Sequence, residues 1–173
     1  MFHLVSTPDL SAEYRAIGEA HAHMEKAGGT PAKTFALTGR LYFSKSGWLL
    51  LSVPNALGRG AFDALNEPGA ELPPDYNAHI SVMTPAEVEQ AGGAAKLSER
   101  GHEFSYTLGP VKEVVPDGWD VSKVWYIEVD SPDLRNLRKS YGLDPLSRGS
   151  AHHITFAIKK KKVLQNNEAS KAA

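Results

Sequence analysis

Two short stretches of the chain contain the same word. Residues 77–83 read NAHISVM and residues 150–158 read SAHHITFAI. In each, a histidine is followed by an aliphatic residue, a hydroxyl residue and another apolar residue: His79-Ile80-Ser81-Val82 and His153-Ile154-Thr155-Phe156, 74 positions apart. Imidazole is the side chain whose ordinary proton equilibrium lies nearest neutral pH. Two of them, one neutral and one protonated, can therefore serve as a general base and a general acid in the same reaction. A lone His-x-hydroxyl sequence is usually structural. Two copies on matching elements point instead to chemistry.

The elements that must carry these residues can be read from periodicity. Side chains alternate faces along a strand, so His79 and Ser81 share one face while Ile80 and Val82 share the other. His153 and Thr155 stand in the same relation to Ile154 and Phe156. The apolar members are expected to pack on the helix of their own half, leaving two histidines and two hydroxyls to converge on a groove. Residues 11–27 read as a helix with Ser11 as N-cap. TFALTGRLYFSKSGWLLLSVPN is strand material with SKSG as a hairpin turn, and a short helix is expected over Leu57–Leu65. Thr84 and Glu87 form a capping-box pattern at a short helix. HEFSYTLG and VKEVV read as two strands, PDGWD as a turn, KVWYIEV as a strand, SPDLRNLRKSYG as a capped helix and HHITFAI as the last strand.

The repeat is longer than four residues. WLLLSVPNALGRGAFDALN…AHISVM can be laid beside WYIEVDSPDLRNLRKSYGL…HHITFAI, with Trp48 over Trp125. Trp48 lies 31 residues before His79, and Trp125 lies 28 before His153. Two strand–helix–strand units predict an α+β fold of two pseudo-twofold-related lobes with antiparallel sheets around a central groove. In this alignment Tyr126 and Glu128, which share a face, stand over Leu49 and Leu51, so the groove is expected to be polar on one side and apolar on the other.

Length and composition bound the rest. The 173 residues, with a formal net charge of −1, suit one domain and leave room for a core. We expect residues 1–160 to form that domain, with 1–35 as a helical extension of unassigned role and 161–173 as a disordered polar tail. The balanced charge gives no global pull toward nucleic acid or membrane. The absence of cysteine removes disulfides, thiol nucleophiles and thiolate-bound zinc. No apolar run approaches the roughly 18–20 residues of a membrane span, and FHLVSTPDL lacks the look of a signal peptide. A cytoplasmic protein is the expectation.

With these motifs the chain resembles the 2H phosphoesterase superfamily, whose members carry two His-x-Ser/Thr-x motifs, here HISV and HITF. The resemblance covers roughly residues 40–160 and is most specific over VWYIEVDSPDLRNLRKSYGL…HHITF. That half looks like compact bacterial and phage members, including the anti-CBASS nucleases that destroy cyclic-oligonucleotide immune signals. It is similar, more loosely, to RNA-repair cyclic phosphodiesterases. The resemblance implies a bilobal fold and metal-independent phosphodiester chemistry without a cofactor. His79 and His153 would be acid and base in either order, with Ser81 and Thr155 donating to the phosphoryl oxygens. It implies a small cyclic oligonucleotide as substrate, in the cytoplasm of a bacterial or infected host cell. A 2′,3′-cyclic phosphate at a short RNA end, a 2′,5′-linked oligonucleotide and a non-catalytic nucleotide-binding role are the alternatives. No obligate protein partner is implied.

Further residues belong to the candidate binding set. Tyr126 and Glu128 would face the groove, Glu128 to orient a histidine or read a base edge. Tyr76 and Trp119, in loops, could stack on bases. Arg148 could contact phosphate, with a solvated arginine as the plainer alternative, and Lys159, which shares the strand parity of His153 and Thr155, is expected at the groove rim. His152 should point away from its neighbour. His21 and His23 are poorly spaced for metal, so no metal site is expected.

Overall fold

A computed structural model describes residues 9–26 and 36–161, with the side chains of 24–26 excepted. The expected polar tail, Lys161 aside, and residues 1–8 and 27–35 of the expected N-terminal extension lie outside the described residues. The elements run α1 (Ser11–Lys26), β1 (Ala36–Phe43), β2 (Leu49–Ser52), α2 (Asn55–Leu65), β3 (His79–Met83), α3 (Pro85–Gln90), β4 (Glu103–Val114), β5 (Val121–Asp130), α4 (Pro132–Ser140) and β6 (His153–Lys160). The fold is α+β, with one six-stranded antiparallel sheet in the order β3-β2-β1-β4-β5-β6. The two expected lobes are thus the halves of a single sheet. They meet at β1, whose Ala36–Arg40 pair with β4 and whose Leu41–Phe43 pair with β2. Among the described residues no helix is long and apolar enough to cross a membrane.

The sheet curls until its edge strands, β3 and β6, approach each other. This curl overturns one expectation. The apolar faces of the motif strands do not pack on the helix of their own half: α2 lies against β6, and α4 against β3 and β4. The core between sheet and helices includes Ile80, Val82, Ile127, Ile154 and Phe156 with Leu57, Leu134 and Leu137, all 7% exposed or less. At roughly 25 cal/mol per Å² of apolar surface, such burial is the main favourable contribution to folding.

Other local expectations are met or moved for identifiable reasons. The Thr84–Glu87 capping box is formed, and Ser131 Oγ accepts from Leu134 N at the start of α4. At α1 the acceptor for the Ser11 N–H is the Asp9 carboxylate, which leaves Ser11 inside the helix. The two strands expected across Gly109-Pro110 are one strand, β4, irregular between Leu108 and Val111. α1 crosses α2 so closely that a methyl group at Gly18 would strike the Leu57 carbonyl and one at Gly60 the Arg15 carbonyl. Only hydrogen at both Cα atoms permits this approach.

The repeat is also displaced by one residue from the alignment on tryptophan. Tyr126 opposes Thr155 and Glu128 opposes His153, while Leu50 opposes Ser81 and Ser52 opposes His79. Leu50 and Ser52 are therefore the counterparts of Tyr126 and Glu128, and Leu49 that of Trp125. Leu49 and Leu51 turn into the core instead. The register steps just after each hydroxyl residue: Val82 and Phe156 are the extra residues of two matching β-bulges. Beyond the second bulge the parity reverses. Lys159 consequently turns away to pair with Glu67, against the expectation that it sits at the groove rim.

Arg138 of α4 is completely buried. Its guanidinium donates to the Asp144 carbonyl at 2.7 Å, to the Val82 carbonyl at 2.5 Å and to Glu87 Oε1 at 2.7 Å. It therefore ties the helix of the second half to the bulge and capping helix of the first. Burial works to raise the Glu87 carboxyl, but hydrogen bonds from Arg138 and the Thr84 backbone prevail and hold it at about 2. His152, 3% exposed, points away from the groove and, among the described residues, has no hydrogen-bond partner on either ring nitrogen. Burial first, and then the Arg138 charge, push it down to about 4.

Breaking a buried pair by removing one partner typically costs about 3–5 kcal/mol. Arg138→Met should lower unfolding stability in urea by that order, and a loss below about 1 kcal/mol would show that α4 holds without the pair. Both titrating groups have folded values below their ordinary ones, 6.5 for His152 and 4.5 for Glu87. In each case the unfolded chain binds the proton first, so stability falls as pH falls. The His152 contribution should be lost between about pH 6.5 and 4 and that of Glu87 between about pH 4.5 and 2. Glu87→Gln should flatten only the lower limb of stability against pH.

Candidate functional site

The concave face of the sheet encloses a cavity of about 830 Å³. His79, Ser81, His153 and Thr155 all line it. The parity read from the sequence explains why: each is half-buried while Ile80, Val82, Ile154 and Phe156 are fully buried behind them. The two motif strands are the edges of the sheet, so only its curl brings them to one space.

Each histidine is held in the same way. His79 Nδ1 lies 2.7 Å from the Asn77 carbonyl, and His153 Nδ1 lies 3.0 Å from the Ala151 carbonyl. A carbonyl oxygen only accepts, so Nδ1 must carry the proton in both rings. The neutral imidazole then leaves its lone pair on Nε2, and the charged one offers a proton there. The supporting backbone is pinned in parallel fashion. Val53 N donates to the Ala78 carbonyl at 3.3 Å and Val129 N to the His152 carbonyl at 2.8 Å. In the first half, Ala78 N also donates to Asn55 Oδ1 at 2.6 Å, and Asn77 Nδ2 donates to the Tyr42 hydroxyl at 3.2 Å.

The unpaired edges of β3 and β6 are closed crosswise. Arg138 covers the Val82 carbonyl, and the Tyr76 hydroxyl donates to the Thr155 carbonyl at 3.3 Å. Glu71, from the loop after α2, exchanges two backbone hydrogen bonds with Ile158. Tyr76 thus lines the cavity but is also wedged against Gly58 of α2, with burial pushing its hydroxyl up to about 12.

Of the remaining sequence candidates, Tyr126, Glu128 and Trp119 line the cavity. The Tyr126 ring lies 5.1 Å from that of His153, tilted by 57°. Glu128 Oε1 receives the Lys112 ammonium at 2.7 Å. Trp119, 62% exposed, stands at the β4–β5 turn. Arg148 does not line the cavity. Its guanidinium lies over the Trp48 ring, 5.8 Å from the centroid, and its backbone turns left-handed at φ 53°. His21, singled out with His23, is bound through Nε2 to the Gly109 carbonyl at 2.5 Å. Among the described residues no three His, Asp or Glu side chains are grouped to hold a metal ion.

Sequence reasoning missed Tyr42, Leu50 and Ile158, which also line the cavity. Tyr42 opposes Leu50 and Leu50 opposes Ser81, just as Lys112 opposes Tyr126 and Tyr126 opposes Thr155. The signal was available only once the register was known.

Residues 47–164 match the family model described as Swiss Army Knife, 2H phosphoesterase domain. No curated protein and no solved structure matches the chain.

The locked rings give a direct expectation. Long-range ¹H–¹⁵N spectra at pH 8 should show His79 and His153 as Nδ1–H tautomers, the minor form of free histidine. Nε2–H signals from either ring would mean that its carbonyl contact is not made in solution.

Proposed function

The chain belongs to the 2H phosphoesterases, a family of hydrolases, and from that premise we propose that it cleaves phosphodiester bonds of small cyclic oligonucleotides by paired histidine acid–base catalysis. The observation that carries this reading is the matched setting of the two rings: Nδ1 bound to the carbonyl two residues before, a hydroxyl two residues after, and one shared cavity. A neutral Nε2 takes the proton of the attacking oxygen while a protonated Nε2 gives one to the leaving oxygen. Ser81 and Thr155 donate to the phosphoryl oxygens as charge builds there. Reversal of the reacting bond exchanges the roles of the histidines, since their local settings are alike.

The cavity volume supports a small substrate, since it lies near the upper end of the roughly 300–1,000 Å³ usual for ligand pockets. Tyr126, Trp119 and Tyr76 offer aromatic surface for bases, each stacking contact being worth about 1–3 kcal/mol. A role in removing cyclic-nucleotide immune signals follows from that substrate class and is part of the proposal.

The test is product analysis in EDTA after incubation with cyclic di- and trinucleotides, 2′,3′-cyclic mononucleotides and 2′,5′-linked oligomers. Turnover of the cyclic oligonucleotides is expected without metal. Turnover of the 2′,3′-cyclic phosphates alone would assign the RNA-end chemistry instead, and activity restored only by Zn²⁺ or Mg²⁺ would refute the metal-free mechanism. His79→Ala and His153→Ala should each lower kcat by about 10²–10⁴-fold with the fold intact by circular dichroism. The double variant should lose little more, because the pair acts as a unit. Ser81→Ala and Thr155→Ala should cost about 10²–10³-fold at most. A bell-shaped pH profile belonging to the pair is expected, and a single limb would remove one histidine from the chemistry.

A further inference from the structure

The two halves of the cavity repeat each other at the histidines and differ beside them. Glu128 opposes His153 in the β5–β6 ladder, and its counterpart opposite His79 is Ser52. Ser52 is turned to its own sheet, its Oγ accepting from Arg40 N at 2.9 Å. Glu128 instead lines the cavity, with its side chain 24% exposed. The two halves also differ one step away, where Lys112 stands in the place of Tyr42. Lys112 reaches along the sheet to Glu128 Oε1 at 2.7 Å. Among the described residues the other charged groups lining the cavity, histidines apart, are Lys45 and Asp75, both on exposed positions.

A carboxylate is a poor neighbour for a phosphodiester. Two anions close together repel each other, and a carboxylate has no proton to offer phosphate. A carboxylate held here must serve a part of the substrate that donates hydrogen bonds. Lys112 prepares it for that. The ammonium offsets its charge, occupies one side of Oε1 and restrains the plane of the group, while lone pairs on both oxygens remain to accept. Aromatic surface lies on the same hairpin, from Tyr126 and Trp119. That is the equipment for a base that stacks while its edge is read.

We propose that Glu128, set by Lys112, reads the Watson–Crick edge of a guanine and makes the second half of the cavity a guanine-selective subsite. The base follows from donor arithmetic. Guanine presents two adjacent donors, the ring N1–H and the exocyclic amine, which match the two oxygens of a carboxylate. Adenine and cytosine present one amine beside a ring nitrogen that accepts, and this faces the carboxylate with like polarity. Uracil presents a single N–H between two carbonyls. Only guanine satisfies the carboxylate in bidentate fashion.

This inference rests on the phosphodiesterase reading for turnover but not for binding, so two measurements separate them. Calorimetry with the 3′-monophosphates of guanosine, inosine, adenosine and uridine reads the base edge without any reaction. Guanosine monophosphate should bind on the order of tenfold tighter than the inosine form, which lacks only the amine, and the adenosine and uridine forms should be weaker still. Glu128→Gln should reduce the guanosine-to-uridine ratio by on the order of tenfold or more. Lys112→Met should shift the same ratio by less. The second measurement is kcat/KM on cyclic dinucleotides of guanosine, inosine, adenosine and uridine, where the ratio should change chiefly through KM. Equal affinity for the guanosine and inosine forms, or a Glu128→Gln loss shared equally by all bases, would overturn the subsite and leave Glu128 a partner of Lys112 alone. Guanosine-selective binding without turnover of any cyclic dinucleotide would sustain the subsite and overturn the cyclic-oligonucleotide reading.

Discussion

The buried guanidinium of Arg138 is the constraint on which the rest of the structure depends. It leaves the second half of the chain on α4 and ends in the first, where it meets the Val82 carbonyl and the Glu87 carboxylate. Val82 is the bulged residue next to Ser81, so this one side chain fixes where the first motif strand stops being regular. A buried charge tolerates no loose geometry, because each donor that loses its acceptor costs desolvation energy in full. All three acceptors must be in place together. That requirement holds α4 and the loop that leads to β6 against the edge strand that carries His79.

Duplication accounts for the economy of the site. Each half supplies a carbonyl, a ring, a hydroxyl and a bulge in the same order, and each half lends a side chain to seal the other's edge strand. Arg138 seals β3, and Tyr76 seals β6. Edge strands left open invite pairing with other chains; here the sealing groups also maintain the cavity. The two halves have since diverged where the reaction does not demand likeness. Leu50 and Ser52 answer to Tyr126 and Glu128, and Tyr42 answers to Lys112. One wall is thus largely neutral and the other carries a compensated pair of charges.

How much of this could be read from the residues depends on the range of the interaction. Strand parity is local, so His79 with Ser81 and His153 with Thr155 were legible from the sequence, as were the capping box at Thr84 and the cap at Ser131. Bulges are not local, because an extra residue shows only against its partner strand. That is why Lys159 was misplaced. The pairing of Trp48 with Trp125 misled by one position, and sent Leu49 and Leu51 to the wrong face, because only the partner strands show that Leu49 stands where Trp125 does. The exchange of helices between halves follows from the curl of the whole sheet and has no signature in either repeat. Arg138 was the least legible of all. In LRNLRKS it looks like one of several solvated cations, and only the arrival of Glu87 from 51 residues away makes it part of the core.

The strand that joins the two halves, β1, ends at Phe43, and the family match begins at residue 47. The matched segment therefore contains both motifs but not the seam between them. Excised at that boundary, it would carry two raw ladders, one on β2 and one on β4, each shaped to receive a strand that is no longer there. It would also lack α1, whose crossing covers the glycine face of α2. The matched segment is shorter than the sheet that builds the cavity. A graft of this site into another protein would have to begin ahead of Ser11 rather than at the first matched residue.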